Sequence, residues 1–214
     1  MTSRRVMSTK PCPVADPLHL VNVGGSLFKT PSFPRLIIEW LSRRRDERLL
    51  LVPGGGELAN HLRNLSQSWS TKQSSAHWAA IDVMSAHTRM LADLLDRHRD
   101  TIGRAHRVLD PGPLLRIDAG RTLPMNWEVT SDSIAAWLAL QMNAVELLLL
   151  KSVGGSEPLK IADAVSRGWV DPVFPAVASR LTVSWVNLLE GRTAPLLMEH
   201  AAPEGAPEAN GRVD

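Results

Sequence analysis

The chain has 214 residues, and its 24 Lys and Arg residues against 22 Asp and Glu residues leave a formal net charge of +2. This length suits a single domain or two lobes that share one sheet, and the ordinary shares of apolar (44%) and charged (21%) residues exclude a wholly disordered or collagen-like chain. The small net charge argues against nucleic acid as a partner, and the single cysteine, Cys12, excludes a disulfide framework or a cysteine-based zinc site and favours the reducing cytoplasm.

The chain is expected to hold one compact domain, over residues 18–200. Residues 1–17 contain three prolines and no hydrophobic periodicity, which predicts a mobile leader. Residues 201–214, rich in Ala, Pro, Glu and Gly, predict a disordered tail. Neither a membrane partner nor a secretory signal is expected, because no apolar run approaches the ~20 residues of a membrane helix and the amino-terminal segment lacks an apolar core.

Short apolar runs alternate with helical patterns along this domain. In chain order, the patterns predict a strand at Leu18–Val23, a helix at Pro34–Ser42, a strand at Leu49–Val52, a helix at Glu57–Leu65, a long helix at Ala76–Leu95, short strands at Arg107–Leu109 and Leu114–Ile117, a helix that begins within Thr130–Ser133, and strands at Glu146–Leu150 and Leu181–Val186. This alternation is typical of crossover units, so we predict an α/β fold with a mostly parallel sheet covered on both faces.

Two glycine clusters each follow a predicted strand and open a predicted helix. The first is Gly24-Gly25-Ser26 and the second is Gly54-Gly55-Gly56. Glycine lets backbone N–H groups approach an anion, and the helix that follows adds its positive N-terminal dipole. Neither cluster matches the Walker or the dinucleotide-binding pattern, and either alone could be a tight turn chosen for steric reasons. Two such clusters at the carboxyl ends of parallel strands favour a phosphate site.

The polar run Thr130-Ser131-Asp132-Ser133 predicts a helix start. Asp132 has two interpretations at this position. It could cap free N–H groups, which the pattern alone favours, or it could be an acidic group that orients a lysine or a Mg²⁺ ion beside a transferred phosphate.

The long predicted helix carries an apolar stripe, which indicates either burial within one subunit or a dimer interface between two copies. His87 falls on this stripe, so we interpret it as a core or interface histidine. His77 lies ten residues away, which is not a metal-ligand spacing, and no protein-held metal site is predicted. The tryptophans are scattered, and we interpret most of them as packing residues.

Four motifs, in order, resemble those of the amino acid kinase family, which includes acetylglutamate, aspartate and uridylate kinases. They are V-N-V-G-G-S-L, L-V-P-G-G-G-E-L-A-N, W-E-V-T-S-D-S-I-A and L-L-L-L-K-S-V-G-G, and the likeness spans about residues 19–190. The chain resembles in particular the archaeal branch that phosphorylates aminomethylfuranmethanol phosphate in methanofuran biosynthesis. Segments similar to that branch are Ser74-Ser75-Ala76-His77, Trp127 through Ser133, Phe174-Pro175 and Val186-Asn187.

The resemblance implies a three-layer αβα sandwich around a largely parallel sheet. It implies a cradle for the phosphates of ATP at Gly24, Gly25 and Ser26, with Ser152 in the nucleotide loop. It assigns the substrate to Gly54, Gly55, Gly56, His77, Thr130 and Ser131, and the organisation of catalytic lysines to Asp132. Such a kinase would use ATP with Mg²⁺, and phosphoryl transfer consists mostly of positioning and charge neutralisation.

Departures from the family pattern concern the use of ATP. The lysine that the family carries two residues before its first Gly-Gly is Asn22 in this chain. Both aspartates of the nucleotide loop are absent from Lys151–Gly155, and a second catalytic lysine is absent near Phe174. Because Lys151 ends a strand at the edge that carries the glycine turns, we hypothesise that it supplies the charge that Asn22 lacks; the alternative is a solvated lysine in a protein without kinase activity. Lys29, beyond the first turn, is expected to point to solvent.

Two functions therefore remain open. The first is a small-molecule kinase that transfers phosphate from ATP to a phosphorylated aminofuran or a similar small acceptor, with Asp132, Lys151 and Asn22 as candidate catalytic residues. The second is a non-catalytic relative that binds an anionic ligand or a partner subunit. We also expect a homo-oligomer, with the helix over residues 76–95 as a candidate dimer interface, or a partner subunit.

Overall fold

The computed structural model describes residues 16–118, 120–155 and 157–198. The predicted tail and all but the last two residues of the predicted leader, Cys12 included, lie outside these ranges. Among the described residues, no helix is both long enough and apolar enough to cross a membrane.

Within the described residues, seven strands form one sheet in the order β3-β2-β1-β4-β6-β7-β5. The strands are β1 (Leu18–Val23), β2 (Arg48–Pro53), β3 (Arg107–Val108), β4 (Glu146–Lys151), β5 (Leu159–Lys160), β6 (Val183–Asn187) and β7 (Arg192–Leu197). Neighbouring strands are parallel, except that β6 and β7 run antiparallel. The mostly parallel sheet that the alternating pattern predicts is confirmed.

Helices cover both faces of the sheet. They are α1 (Phe33–Ser42), α2 (Gly56–Ser68), α3 (Gln73–Arg97), α4 (Arg99–Ile102), α5 (Gly112–Asp118), α6 (Ser131–Gln141), α7 (Ile161–Ser166) and α8 (Phe174–Ala178), with a short 3-10 helix over Gly25–Lys29. On one face, Leu20 and Leu147 pack with α6, whose residues 134–139 are all buried. On the other face, Val21 and Leu148 pack with α1 and α4. Because successive strand residues point to opposite faces, each central strand supplies both cores of this three-layer α/β fold.

The prediction of a strand over Leu114–Ile117 is wrong, because this segment lies in α5. The Asp110 carboxylate accepts a hydrogen bond from the Gly112 N–H at 2.9 Å, which satisfies one of the free donors at the helix start. Leu115 is buried, whereas Ile117 is 73% exposed. A short apolar run does not by itself distinguish a strand from a turn of helix.

The apolar stripe of α3 is buried within the chain. Ile81, Met84, Leu91 and Leu95 are each at most 3% exposed and belong to the two cores. Burial within one subunit therefore accounts for the stripe, and a dimer through residues 76–95 stays a prediction.

Candidate functional site

The two glycine turns lie side by side at the carboxyl ends of the adjacent parallel strands β1 and β2. A Cβ atom built on Gly25 would lie 2.2 Å from the backbone nitrogen of Gly56 and 2.5 Å from its Cα. A Cβ atom on Gly54 would lie 2.8 Å from both the Gly25 nitrogen and the Ser131 hydroxyl oxygen. Contact this close between two backbones requires glycine. Both turns therefore lie at one place on the sheet edge where parallel strands form ligand sites.

His87 of α3 supports the second turn. Its Nδ1 lies 2.7 Å from the carbonyl oxygen of Gly54, and because a carbonyl only accepts hydrogen bonds, this nitrogen carries the proton. The ring stacks on Phe28 with centroids 4.3 Å apart. His87 is therefore a buried core residue that positions the Gly54 backbone.

A buried ion pair stands beside the first turn. Lys151 Nζ donates to Asp132 Oδ1 at 2.6 Å and to the carbonyl oxygen of Trp169 at 2.8 Å, and Asn22 Nδ2 donates to the same Asp132 oxygen at 2.6 Å. The Lys151 side chain passes close to Gly24, since a Cβ atom there would lie 3.3 Å from Lys151 Cδ. Burial raises the pKa of the Asp132 carboxyl, and the charge of Lys151 opposes that shift. Lys151 is buried and paired rather than solvated.

Two aspartates with different partners lie at the start of α6. Thr130 is the N-cap residue, and its hydroxyl accepts from the Asp132 N–H at 3.4 Å. The Asp171 carboxylate accepts from four backbone N–H groups and two hydroxyls, which belong to Thr130, Ser133, Val173 and Phe174. Asp171 thus ties the start of α6 to the start of α8. The side chain of Asp132 does not serve as the cap, and it holds Lys151 instead.

The glycine turns and the ion pair line one cavity of about 420 Å³. Its strand-end wall consists of residues that follow β1 and β4, together with the end of β4: Gly24, Gly25, Ser26, Lys151, Ser152 and Val153. Its helical wall comes from α2, α3 and the loop before α6: Asn60, Arg63, His77, Ile81, Met84 and Trp127. A hydrogen bond of 2.9 Å between the hydroxyls of Ser26 and Ser152 links the two segments of the strand-end wall.

Besides the amide of Asn60, the helical wall presents Arg63 and His77 to the cavity. The Arg63 guanidinium lies over the Trp127 ring, 4.8 Å from its centroid, and its buried Nε has no hydrogen-bond partner among the described residues. His77 Nδ1 lies 3.3 Å from the carbonyl oxygen of Asn126. Burial lowers the pKa of His77, so the ring is neutral near pH 7.

Most residues predicted for the site line this cavity. They are Gly24, Gly25, Ser26, Gly55, Gly56, His77, Thr130, Ser131, Asp132, Lys151 and Ser152. Gly54 instead packs between the turns, and the fully buried Asn22 reaches the cavity only through Asp132. Lys29 forms an exposed ion pair with Glu57 at 3.3 Å, as expected of a residue that points to solvent.

Sequence reasoning alone does not assign Arg63, Asp171, Trp127 or Trp169 to the site. Both tryptophans line the cavity and are two exceptions to the interpretation of most tryptophans as packing residues. Arg63 lies seven residues after Gly56, about two helical turns along the helix that the glycine turn opens. Asp171 precedes a proline and the start of a helix, which is a capping signal. The spacing of Arg63 from Gly56 and the capping pattern at Asp171 are the sequence signals that could have indicated these two residues.

No protein-family model matches the chain. The sequence is similar to the [5-(aminomethyl)furan-3-yl]methyl phosphate kinase of Methanocaldococcus jannaschii, with 24% identity over an alignment of 148 residues; the alignment covers 64% of this chain and 67% of that protein. Among solved structures, the UMP kinase of Ureaplasma parvum has a TM-score of 0.58 at 11% identity and covers 85% of this chain and 99% of its own. The UMP kinase of Bacillus anthracis has a TM-score of 0.57 at 17% identity, with 86% and 99% covered.

The structure has the α/β fold of the amino acid kinases, as the four motifs predict. The likeness to the kinase of M. jannaschii adds similarity of sequence to similarity of fold. Together, the two similarities support the assignment of this chain to the amino acid kinase family, as a small-molecule kinase.

Proposed function

We propose that this protein transfers the γ-phosphoryl group of ATP to a phosphorylated aminofuran or a similar small substrate, as a step in one-carbon cofactor synthesis of the methanofuran type. One observation carries the proposal: two contacting glycine turns lie at adjacent strand ends with the Asp132–Lys151 ion pair beside them. The substrate class is suggested by the relative of M. jannaschii. In the reaction, the bond from the γ-phosphorus to ADP breaks and a bond to a phosphate oxygen of the substrate forms, which yields a diphosphate.

The strand-end wall fits the phosphates of ATP. Gly24 and Gly25 line the cavity, and the hydroxyls of Ser26 and Ser152 lie beside them. ATP would supply the transferred group, and Mg²⁺ would offset its charge. No group of three His, Cys, Asp or Glu side chains in the described ranges could hold a metal ion. In kinases Mg²⁺ is commonly held by phosphate oxygens of the substrate with one or two carboxylates rather than by such a group.

Lys151 supplies the positive charge in this proposal. Its ammonium has three N–H donors, of which two contact Asp132 and the Trp169 carbonyl. The third would donate to a phosphate oxygen of the bound nucleotide or substrate. The ion pair fixes the position of Nζ before a ligand arrives, which is how preorganised charge stabilises a transition state.

A second candidate function is a relative that binds an anionic ligand or a partner subunit without catalysis. It is favoured by the pairing of Lys151 with Asp132, which offsets the only lysine charge on the cavity lining within the described ranges. The amide Asn22, at the position where the family carries a lysine, brings no further charge.

The test is incubation of the purified chain with ATP, Mg²⁺ and [5-(aminomethyl)furan-3-yl]methyl phosphate, followed by phosphorus NMR spectroscopy. A diphosphate product and ADP are expected. The double variant Lys151→Met with Asp132→Asn, which removes both buried charges together, should lower kcat by about 10²- to 10³-fold. The matched control Lys29→Met, on an exposed lysine, should turn over as the parent does.

One result would decide for the second candidate. It is a parent protein that forms no product although its melting temperature rises with the phosphorylated substrate, because a ligand that binds the folded state stabilises it. A double variant that retains the turnover of the parent would instead remove Lys151 and Asp132 from the catalytic machinery.

A further inference from the structure

We propose that Arg63 is the specificity-determining residue of the substrate subsite, where it binds the anionic group of the substrate while His77 accepts a hydrogen bond from an amine or hydroxyl. This inference rests on the proposed function for the identity of the site. It assigns to the helical wall a substrate that carries a phosphate monoester and an N–H or O–H donor on a small apolar body.

The first argument is that the Arg63 guanidinium is held in place but incompletely bonded. It lies 4.8 Å above the Trp127 ring, and one terminal nitrogen donates to the Trp127 carbonyl oxygen at a long 3.4 Å. Its Nε is buried without a partner in the described ranges. A buried donor that lacks a partner is costly, and the planar fork of N–H groups matches the oxygens of a phosphate. A phosphate in the cavity would complete the hydrogen bonds of this side chain.

A comparison within the chain sharpens this argument. Arg116 lies over the Trp78 ring at 4.7 Å, which is nearly the geometry of Arg63 over Trp127. Arg116, however, also forms an ion pair with Asp82 at 2.8 Å, and it does not line the cavity. The chain therefore contains two arginines stacked on tryptophans. Arg116 is paired with an acidic side chain, whereas Arg63 faces the cavity.

The second argument concerns His77, which is 6% exposed and lines the cavity. Its Nδ1 must carry the proton, because the Asn126 carbonyl oxygen 3.3 Å away can only accept. Burial lowers the pKa of His77, so the second ring nitrogen, Nε2, holds a lone pair at neutral pH. That nitrogen accepts a hydrogen bond from a substrate amine or hydroxyl.

The remaining lining suits an apolar body. Ile81, Met84, Val129 and Ile134 line the cavity together with the Trp127 ring. Ligand sites commonly combine apolar walls of this kind with a few placed polar groups. Besides the Asn60 amide, the helical wall thus offers one cation and one neutral acceptor on a largely apolar surface.

The test measures binding by titration calorimetry, without ATP. The two probes are [5-(aminomethyl)furan-3-yl]methyl phosphate and the corresponding alcohol. The parent should bind the phosphate more tightly, and Arg63→Gln should weaken binding of the phosphate by about 10- to 100-fold, the usual range for a hydrogen bond to a charged group, while leaving the affinity for the alcohol unchanged. Arg63→Lys, which keeps the charge without the fork, should fall between the two. Arg116→Gln, the matched stacked arginine, should bind both probes as the parent does.

The inference is overturned if the parent binds neither probe, if Arg63→Gln binds the phosphate as the parent does, or if it weakens both probes equally. If Arg63→Gln does not fold, Arg63→Lys decides: unchanged affinity for the phosphate overturns the inference. Failure of the proposed function is distinguishable, because phosphate-selective binding that depends on Arg63, without product formation, supports the subsite and refutes the kinase.

Discussion

The two walls of the cavity differ in what their polar groups contact. On the strand-end wall, the groups are bonded to one another: Lys151 contacts Asp132 and the Trp169 carbonyl, and Ser26 contacts Ser152. On the helical wall, Arg63 keeps a buried nitrogen without a partner among the described residues, and His77 keeps an unprotonated one.

This difference indicates that the polar groups of the two walls are held in place in different ways. Groups bonded to one another are preorganised, and removing one of them leaves its partner buried and unsatisfied. Groups that are positioned by stacking and packing but not fully bonded contribute mainly when a ligand arrives. Substitution on the strand-end wall should therefore lower stability, whereas substitution on the helical wall should lower affinity.

The largest effect is expected from Lys151→Met. It leaves the Asp132 carboxylate, which is 5% exposed, without its countercharge, and breaking a buried ion pair costs about 3–5 kcal/mol. The free energy of unfolding, from urea denaturation, measures this loss. Adding Asp132→Asn should recover most of it, because both charges are then absent.

Arg63→Gln is the counterpart of Lys151→Met on the helical wall. Its free energy of unfolding should stay within about 1 kcal/mol of the parent, because the substitution removes a side chain with one unsatisfied buried donor. Equal losses in Arg63→Gln and Lys151→Met would break the contrast between the walls.

A loss of about 3 kcal/mol or more is expected from Gly25→Ala, because the new methyl group would overlap backbone atoms of Gly56 that cannot move aside. Gly191→Ala is the control, since Gly191 has a φ of +66° but no atom within 4 Å of an added Cβ. It should lose only the ~1–2 kcal/mol of a strained backbone. Thermal or urea unfolding of both variants gives the comparison, which a smaller loss in Gly25→Ala would contradict.

Asp171→Asn should cost about 2–3 kcal/mol, because the amide would place N–H donors against the N–H groups that the carboxylate now accepts. This variant tests how much the anchoring of the start of α6 by Asp171 contributes to the free energy of unfolding. Asp163→Asn, an exposed aspartate on α7, should change the free energy of unfolding by less than about 0.5 kcal/mol. A similarly small change in Asp171→Asn would show that the anchor is dispensable.

The smallest effect is a pH dependence on the helical wall. Burial lowers the pKa of His77 in the folded chain below its ordinary value of 6.5. At a pH between the pKa of the folded state and that of the unfolded state, the unfolded chain therefore binds more protons than the folded one. Stability is therefore lost as the pH falls below about 6.5. His77→Gln, which keeps a donor for the Asn126 carbonyl, should flatten this decline in urea denaturation between pH 7 and pH 5. The exposed His61→Gln is the control, and a decline of equal steepness in His77→Gln would contradict the prediction.

The centre of the fold could be predicted from the sequence, and its far edge could not. Helices cover both faces of the strands β1, β2 and β4. These strands are therefore apolar almost throughout and appear in the sequence as continuous apolar runs. β7 alternates between buried and exposed positions and contains Pro195, which argues against a strand. It forms because β6 offers it an antiparallel partner, in which Pro195 pairs with Ser184.

The same distinction holds for the candidate site. The glycine turns and Asp132 follow from local patterns that the family motifs reinforce. The contacts of Arg63 and Asp171 join segments 64 and 38 residues apart, and no local pattern specifies which segment meets which. Whether Lys151 points into the cavity depends likewise on its meeting Asp132 from another element.

Both edges of the sheet are strands of two residues, β3 at one edge and β5 at the other. Each carries a basic residue, Arg107 or Lys160, and short, charged edge strands oppose pairing with a strand from another molecule. β5 pairs with β7 only at Leu196 and Leu197, and Pro195 interrupts the donors of the remaining edge of β7. Within the described ranges, the folded chain therefore offers only short stretches of β-edge as a template for fibrillar aggregation, and concentrated samples should stay free of cross-β material.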